Sequence, residues 1–411
     1  MSGLRQIPSP PAASAEVAPI DVGLYVHVAF CRTKCFYCDF NAYAGLGHLI
    51  DDYARALVAE IERLPQTLTG VPAPASRPFR IGSIFFGGGT PSVLTPAQIA
   101  AVLDAAHRWP VAPDAEISLE ANPGDLSLAY LKDLRATGVN RLSMGVQSFD
   151  DAMLRRLGRR HDAATAVAAF AQARQAGFAN LSFDLMFGLP GQTLAHWQST
   201  LDRALALAPD HISLYNLTIE PDTPFATWVA AGKLSVPDDD AAADLYQAAI
   251  DDLDHAGFAH YEISNWARRG DGQDFRAQHN LRYWRNQPYF GVGAGAHSSF
   301  AGYRYADLLT PATYVARALA GEPTVDNVER ISEDLEMGET LMLGLRLAEG
   351  VGVDDFALRF GRSLDAVYGA TVGELVAIGL LARESGRLVL TPRGRFLGNE
   401  VFCRFLPVAS A

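Results

Sequence analysis

The sequence predicts an α/β protein, a partial (β/α)6 barrel joined to a small helical, winged-helix-like C-terminal domain. Three observations predict it. Between Leu24 and Ala256, six apolar strand-like segments alternate with six helical ones, and repeated βαβα order builds a parallel sheet with helices packed outside it. Six units fall short of the eight that close a barrel. From Ile331 onward the helical period returns and ends in a short hairpin pattern.

Each element follows from local sequence. Residues 1–20 are rich in Pro, Ala and Ser without periodicity and read as a flexible arm. The barrel then occupies 21–257. Strands are expected at 24–28, 81–86, 117–121, 141–146, 181–187 and 211–217. Helices are expected at 50–64, 96–107, 127–137, 163–176, 193–207 and 239–256. Thr95 before Pro96 is an N-cap pattern, and Gly138, Gly177 and Gly257 are stop signals. Residues 258–330, rich in Tyr, Trp, Asn, Gly and Arg, read as an irregular linker. Residues 331–411 read as the C-terminal domain, with helices near 335–347 and 363–378 and a wing at 388–390.

Composition narrows the function. With 49% apolar and 19% charged residues in 411, the chain can bury a sizeable core. Its net charge of −12 excludes a general polyanion binder. The winged-helix-like segment 331–411 carries eight Arg and no Lys against eleven acidic residues, so no nucleic-acid partner is expected. The first 18 residues contain no apolar core of a signal peptide, and no apolar run approaches the ~18 residues of a spanning helix. A cytoplasmic protein is expected.

Of four cysteines, three crowd into Cys31-Arg-Thr-Lys-Cys35-Phe-Tyr37-Cys38, directly after the first strand. In parallel α/β folds the ligand site lies at the carboxyl ends of strands. Three close thiolates suit iron and sulfide; a zinc clip or three inert cysteines are the alternatives. Cys403, in the apolar run Val401-Phe-Cys-Arg-Phe405, reads as a buried packing residue.

Further chemistry-bearing residues fall at successive strand ends. Gly87-Gly88-Gly89-Thr90 follows the second strand, where missing Cβ atoms let a ligand approach the backbone. Glu120 ends the third strand and Gln147 the fourth, with Arg159 twelve positions later. Asp184 interrupts the apolar fifth strand, and a buried carboxylate there needs a partner or a cavity.

The C-x3-C-x2-C loop resembles the signature of the radical S-adenosylmethionine (SAM) superfamily. The resemblance implies a [4Fe–4S] cluster on Cys31, Cys35 and Cys38 with one iron left open for SAM. Tyr25-Val-His-Val-Ala-Phe-Cys31, Phe85-Phe-Gly-Gly-Gly-Thr-Pro-Ser92, Arg141-Leu-Ser-Met-Gly-Val-Gln-Ser-Phe149 and Phe183-Asp-Leu-Met-Phe-Gly-Leu-Pro-Gly-Gln-Thr193 narrow it. Together with the C-terminal domain they resemble the oxygen-independent coproporphyrinogen III oxidase family over about residues 22–405. That resemblance implies that Tyr25, Tyr37, Gly88, Gly89, Thr90, Glu120, Gln147, Arg159 and Asp184 line SAM, with Thr218 and His297 as weaker carry-overs.

Two departures point to a branch of that family. Decarboxylating members carry a fourth cysteine where this chain has Phe40. Residues 279–284 read His-Asn-Leu-Arg-Tyr-Trp, which resembles the heme-binding motif of the family's heme chaperones. Ala29 stands where the usual pattern has Pro. The implied reading is a heme chaperone that serves respiratory heme proteins. His279 is a candidate ligand to heme iron, with Tyr283 and Trp284 as flat faces for the porphyrin. Arg276, Arg282 and Arg285 are candidate partners for the propionates. Transient peripheral membrane contact and a homodimer are further expectations. The alternative is radical decarboxylation of coproporphyrinogen III propionates.

Overall fold

Apolar runs bounded by glycine and capping residues set the architecture. The computed structural model describes residues 19–64, 78–270 and 272–407; most of the expected N-terminal arm lies outside them. Six parallel strands pair in sequence order: β1 (Ile20–Val28), β2 (Phe79–Gly88), β3 (Val111–Ala121), β4 (Arg141–Gln147), β5 (Asn180–Phe187) and β6 (His211–Asn216). β1 and β6 do not pair, so the barrel stays open.

Helices α1 (Ile50–Ile61), α2 (Pro96–Ala106), α3 (Leu128–Ala136), α5 (Ala163–Gln175), α6 (Leu194–Ala206) and α8 (Asp239–His255) cover the outer face, while the short α4 (Asp151–Leu157) and α7 (Pro224–Ala230) join a separate cluster with Phe36 and Tyr37 of the cysteine loop. Their starts are chemically specified. Thr95 and Gln98 form a reciprocal capping box on α2, and Ser127, Asp162 and Asp238 each accept a first-turn N–H. The strands' apolar residues meet these helices in one continuous core that includes Leu24, Phe86, Leu119, Leu142, Phe183 and Trp197.

The segment 258–330 departs from the irregular linker expected. It forms β7 (Phe258–Glu262), β8 (Asn265–Arg268), α9 (Gln278–Trp284), β9 (Tyr289–Val292), β10 (His297–Phe300), β11 (Tyr303–Asp307), α10 (Pro311–Ala320) and β12 (Val325–Arg330). β8 pairs antiparallel with β6, and β9 pairs parallel with β1. The segment thus extends both edges of the sheet, giving the order β12-β11-β10-β9-β1-β2-β3-β4-β5-β6-β8-β7. Its strands are only four to six residues long, too short for alternation to stand out among Gly and aromatic residues. α9 enters the floor of the barrel, where the Glu116 carboxylate on β3 accepts the N–H groups of Gln278 (3.1 Å) and His279 (3.2 Å).

The C-terminal unit has its own core around Met337, Leu341, Phe356, Leu375, Leu388 and Phe405. Helices α11 (Glu333–Gly344), α12 (Val353–Phe360) and α13 (Leu364–Ala377) pack with a small antiparallel sheet ordered β13-β15-β14: β13 (Val351–Gly352), β14 (Leu381–Glu384) and β15 (Arg387–Leu390). Cys403 is exposed, contrary to the buried position expected. Val401, Phe402 and Phe405 take the inward positions of that run, and Cys403 faces outward between them.

Candidate functional site

β1 ends at Val28, and the chain then crosses the open mouth of the barrel. A short parallel ladder, Phe30–Cys31 with Tyr43–Ala44, ties together the two ends of the loop that carries the three thiols. Asn41 anchors it: Nδ2 donates to the carbonyls of Ala294 (2.9 Å) and Leu309 (3.0 Å), while its own backbone carbonyl lies 2.9 Å from His27 Nε2. His27 Nδ1 lies 3.0 Å from the Tyr25 hydroxyl.

Behind the loop lies a cavity of about 330 Å³. Cys31, Cys35 and Cys38 line it, with Tyr37, Gly88, Gly89, Thr90, Glu120, Gln147, Arg159, Asp184 and Thr218. Residues from six strand ends therefore meet in one place. Tyr25 does not line the cavity: it stands behind it and holds His27. His297 is exposed on β10 and also lies outside the lining. Strand-end reasoning passed over Met186, Tyr215 and Asn216, which line the cavity from β5 and β6. The same rule applied to the end of β6 finds the last two.

The thiols are set among polar partners. Cys31 Sγ lies 3.2 Å from Thr90 Oγ1, and Arg159 Nη1 donates to Cys35 Sγ at 3.3 Å. Burial pushes the Cys31 and Cys38 thiols up, so ionising them requires a compensating positive centre. Among the described residues no three His, Cys, Asp or Glu side chains converge on a single-ion position. Thiolates bound to separate irons of one cluster need not meet at a point, and an all-sulfur donor set fits iron and sulfide.

The glycine turn is sterically required. Gly88 adopts φ +108°, and a Cβ there would stand 2.7 Å from the His27 ring. At Gly89 it would meet the Phe30 carbonyl oxygen at 2.6 Å. Opposite, Asp184 accepts from the Ser143 hydroxyl at 3.0 and 3.2 Å. Burial raises both cavity carboxyls; Glu120 is pushed up to about 8, with Asp184 as the second cause. A positively charged ligand would let both ionise. Gln147 has φ +69°, where the β4–β5 register slips; left-handed backbone costs a non-glycine residue about 1–2 kcal/mol. The strain turns the residue at the cavity wall.

The heme-motif residues lie elsewhere, and His279 is not open to a ligand in this structure. It is fully buried in the barrel floor, with Nδ1 2.9 Å from Ser83 Oγ and Nε2 2.9 Å from the Tyr283 hydroxyl. Its ring stacks on Phe85, and burial with Arg282 nearby pulls its pKa down to about 3. The three arginines are paired with acids, Arg276 with Asp274, Arg282 with Asp21 and Arg285 with Glu349. Trp284 lies under Arg346 in a cleft against the C-terminal unit.

Comparison with known proteins bears on this geometry. The Radical SAM superfamily model matches residues 25–204, and the HemN C-terminal domain model matches 331–397. The heme chaperone HemW of Bacillus subtilis is 39% identical over 93% of this chain and 98% of its own length. The heme chaperone HemW of Mycobacterium tuberculosis is 36% identical over 97% of this chain and 98% of its own. This chain belongs to the HemW family. The crystallised coproporphyrinogen III oxidase HemN of Escherichia coli, a radical SAM enzyme, matches with a TM-score of 0.78 at 25% identity, over 94% of this chain and 90% of that one. The open barrel of this chain is thus a HemN-like scaffold. The HemN C-terminal match opens where β12 has ended and α11 is about to begin. In this HemW-family chain, Phe40 is 63% exposed at the cavity mouth.

Proposed function

We propose that the chain binds heme and passes it to respiratory heme proteins, on a scaffold that holds a [4Fe–4S] cluster and SAM. Near-full-length kinship with proteins named heme chaperone carries this reading. In it, Cys31, Cys35 and Cys38 hold the cluster. Gly88, Gly89 and Thr90 lie along the methionyl part of SAM, and Glu120 and Asp184 take up its positive charge. Tyr37, Gln147 and Arg159 close the pocket, and Tyr25 supports it through His27. When bound, the cluster supplies the electron that can cleave the sulfonium of SAM. His279 and Tyr283 hold the barrel floor, so heme ligation is not assigned to them.

No helix among the described residues is long and apolar enough to cross a membrane. The proposed chaperone works in the cytoplasm, meets its acceptors by brief peripheral contact at the membrane and is compatible with a homodimer. The test is a heme titration of the anaerobically reconstituted protein, with and without SAM, followed by incubation with an apo-cytochrome. Saturable binding and appearance of heme in the acceptor support the reading. Catalytic conversion of coproporphyrinogen to protoporphyrinogen would overturn it in favour of an oxidase.

A further inference from the structure

Phenylalanine is normally buried, yet the ring of Phe40 is left in solvent on a loop whose backbone is tied down on both sides. Lys34 Nζ donates to the Phe40 carbonyl at 3.2 Å. Next along the chain, Asn41 is bonded to Ala294 and Leu309, and the Tyr43 N–H bonds the Ala29 carbonyl. A flexible loop would fold such a ring inward; here the anchors hold it at the rim of the cavity.

The charge beside the ring is mixed: Lys34 and Arg160 line the mouth together with Asp39 and Glu220. Among the described residues Lys34 pairs with no carboxylate; its ammonium is held only by the Phe40 carbonyl. Arg32 and Arg160 share the single carboxylate of Asp125, at 3.0 and 2.8 Å. Lys34 is thus the cation at the rim left for an anionic group of a ligand. A ligand that fits has a flat apolar face for Phe40 and an anionic substituent within reach of Lys34.

We propose that Phe40 is a stacking platform for a planar macrocycle bearing carboxylates, and that Lys34 pairs with one of those carboxylates. Resting on the heme-chaperone reading, this places heme across the mouth of the thiol-lined cavity rather than in the barrel floor. Heme seated there covers the pocket assigned to SAM, so occupancy of one site is felt at the other.

The experiment is a heme titration of the full-length, cluster-reconstituted protein, followed by the Soret band and expressed per cluster. Phe40→Ala weakens binding by about tenfold and Phe40→Trp restores it, since an aromatic contact adds roughly this much affinity. In Phe40→Trp, heme quenches more tryptophan fluorescence than in the parent. Lys34→Gln weakens heme binding but not binding of heme dimethyl ester, whose carboxylates are blocked. Parental affinity in Phe40→Ala, with no extra quenching in Phe40→Trp, would overturn the platform while leaving the chaperone reading intact. A parent protein that takes up no heme would overturn both.

Discussion

The Arg159 guanidinium reaches the Cys35 thiol across 124 positions of sequence, with Nη1 3.3 Å from Sγ. The same guanidinium bonds the carbonyl of Gly145. It therefore joins the thiol loop after β1 to the end of β4. A charge-assisted bond of this kind is worth about 1.5–3 kcal/mol. Arg159→Ala is expected to lose cluster iron at least about tenfold faster under chelator, with Arg159→Lys intermediate because it keeps charge without the fork. Iron and sulfide release measured over time checks this.

The cavity carboxyls predict a pH dependence. Glu120 keeps its proton in the folded protein up to about pH 8, whereas the same group in an unfolded chain ionises near 4.5. Across that window the folded state holds the extra proton, so stability falls as pH rises, by roughly 1.4 kcal/mol per pH unit at most. Melting curves of ligand-free protein from about pH 5 to about pH 8.5 should show this slope, and Glu120→Gln should make it shallower, leaving the part that Asp184 contributes. SAM, as a cation, should bind more tightly as pH rises through the window in the parent, and the gain should be smaller in Glu120→Gln.

Gly89→Ala drives a methyl group into the Phe30 carbonyl, 2.6 Å from the position of its Cβ. The obstacle is backbone, so the cost is about 1–3 kcal/mol, and the thiol loop that begins at Phe30 is displaced. Lower melting temperature together with reduced cluster loading is the expected pair of results. Gly47→Ala is the control, because nothing lies within 4 Å of its Cβ position.

His279→Ala leaves Ser83 and Tyr283 without their shared partner in a closed interior. Loss of two buried hydrogen bonds plus a cavity costs about 2–4 kcal/mol. Denaturant unfolding should show that loss, while the Soret position of bound heme stays at the parental value.

Much of this architecture is legible in the sequence. The six barrel strands and their helices are visible because long apolar runs alternate with caps such as Thr95 and stops such as Gly138. The residues that the structure gathers around the cavity stand at the ends of those strands. Tertiary contact sets the rest, which one dimension does not show. Tyr25 and His279 look like ligand-facing groups along the chain; the sequence does not show that the fold bonds the first to His27 and the second to Ser83 and Tyr283. The strands β7 to β12 are hidden because they are short and take their order from the edges they join. Cys403 is misplaced because an apolar run does not reveal which of its residues faces out.

Those same edges bear on any attempt to dissect the protein. The stretch after α8 supplies one partner to β6 through Asn265–Arg268 and another to β1 through Tyr289–Val292. A gene cut after residue 257 would release the six-stranded barrel with two raw flanks, each a row of unsatisfied amides and carbonyls inviting a neighbouring molecule. Exposed edges of that kind favour association between copies, so the barrel that carries the three thiols depends on the chain downstream of it.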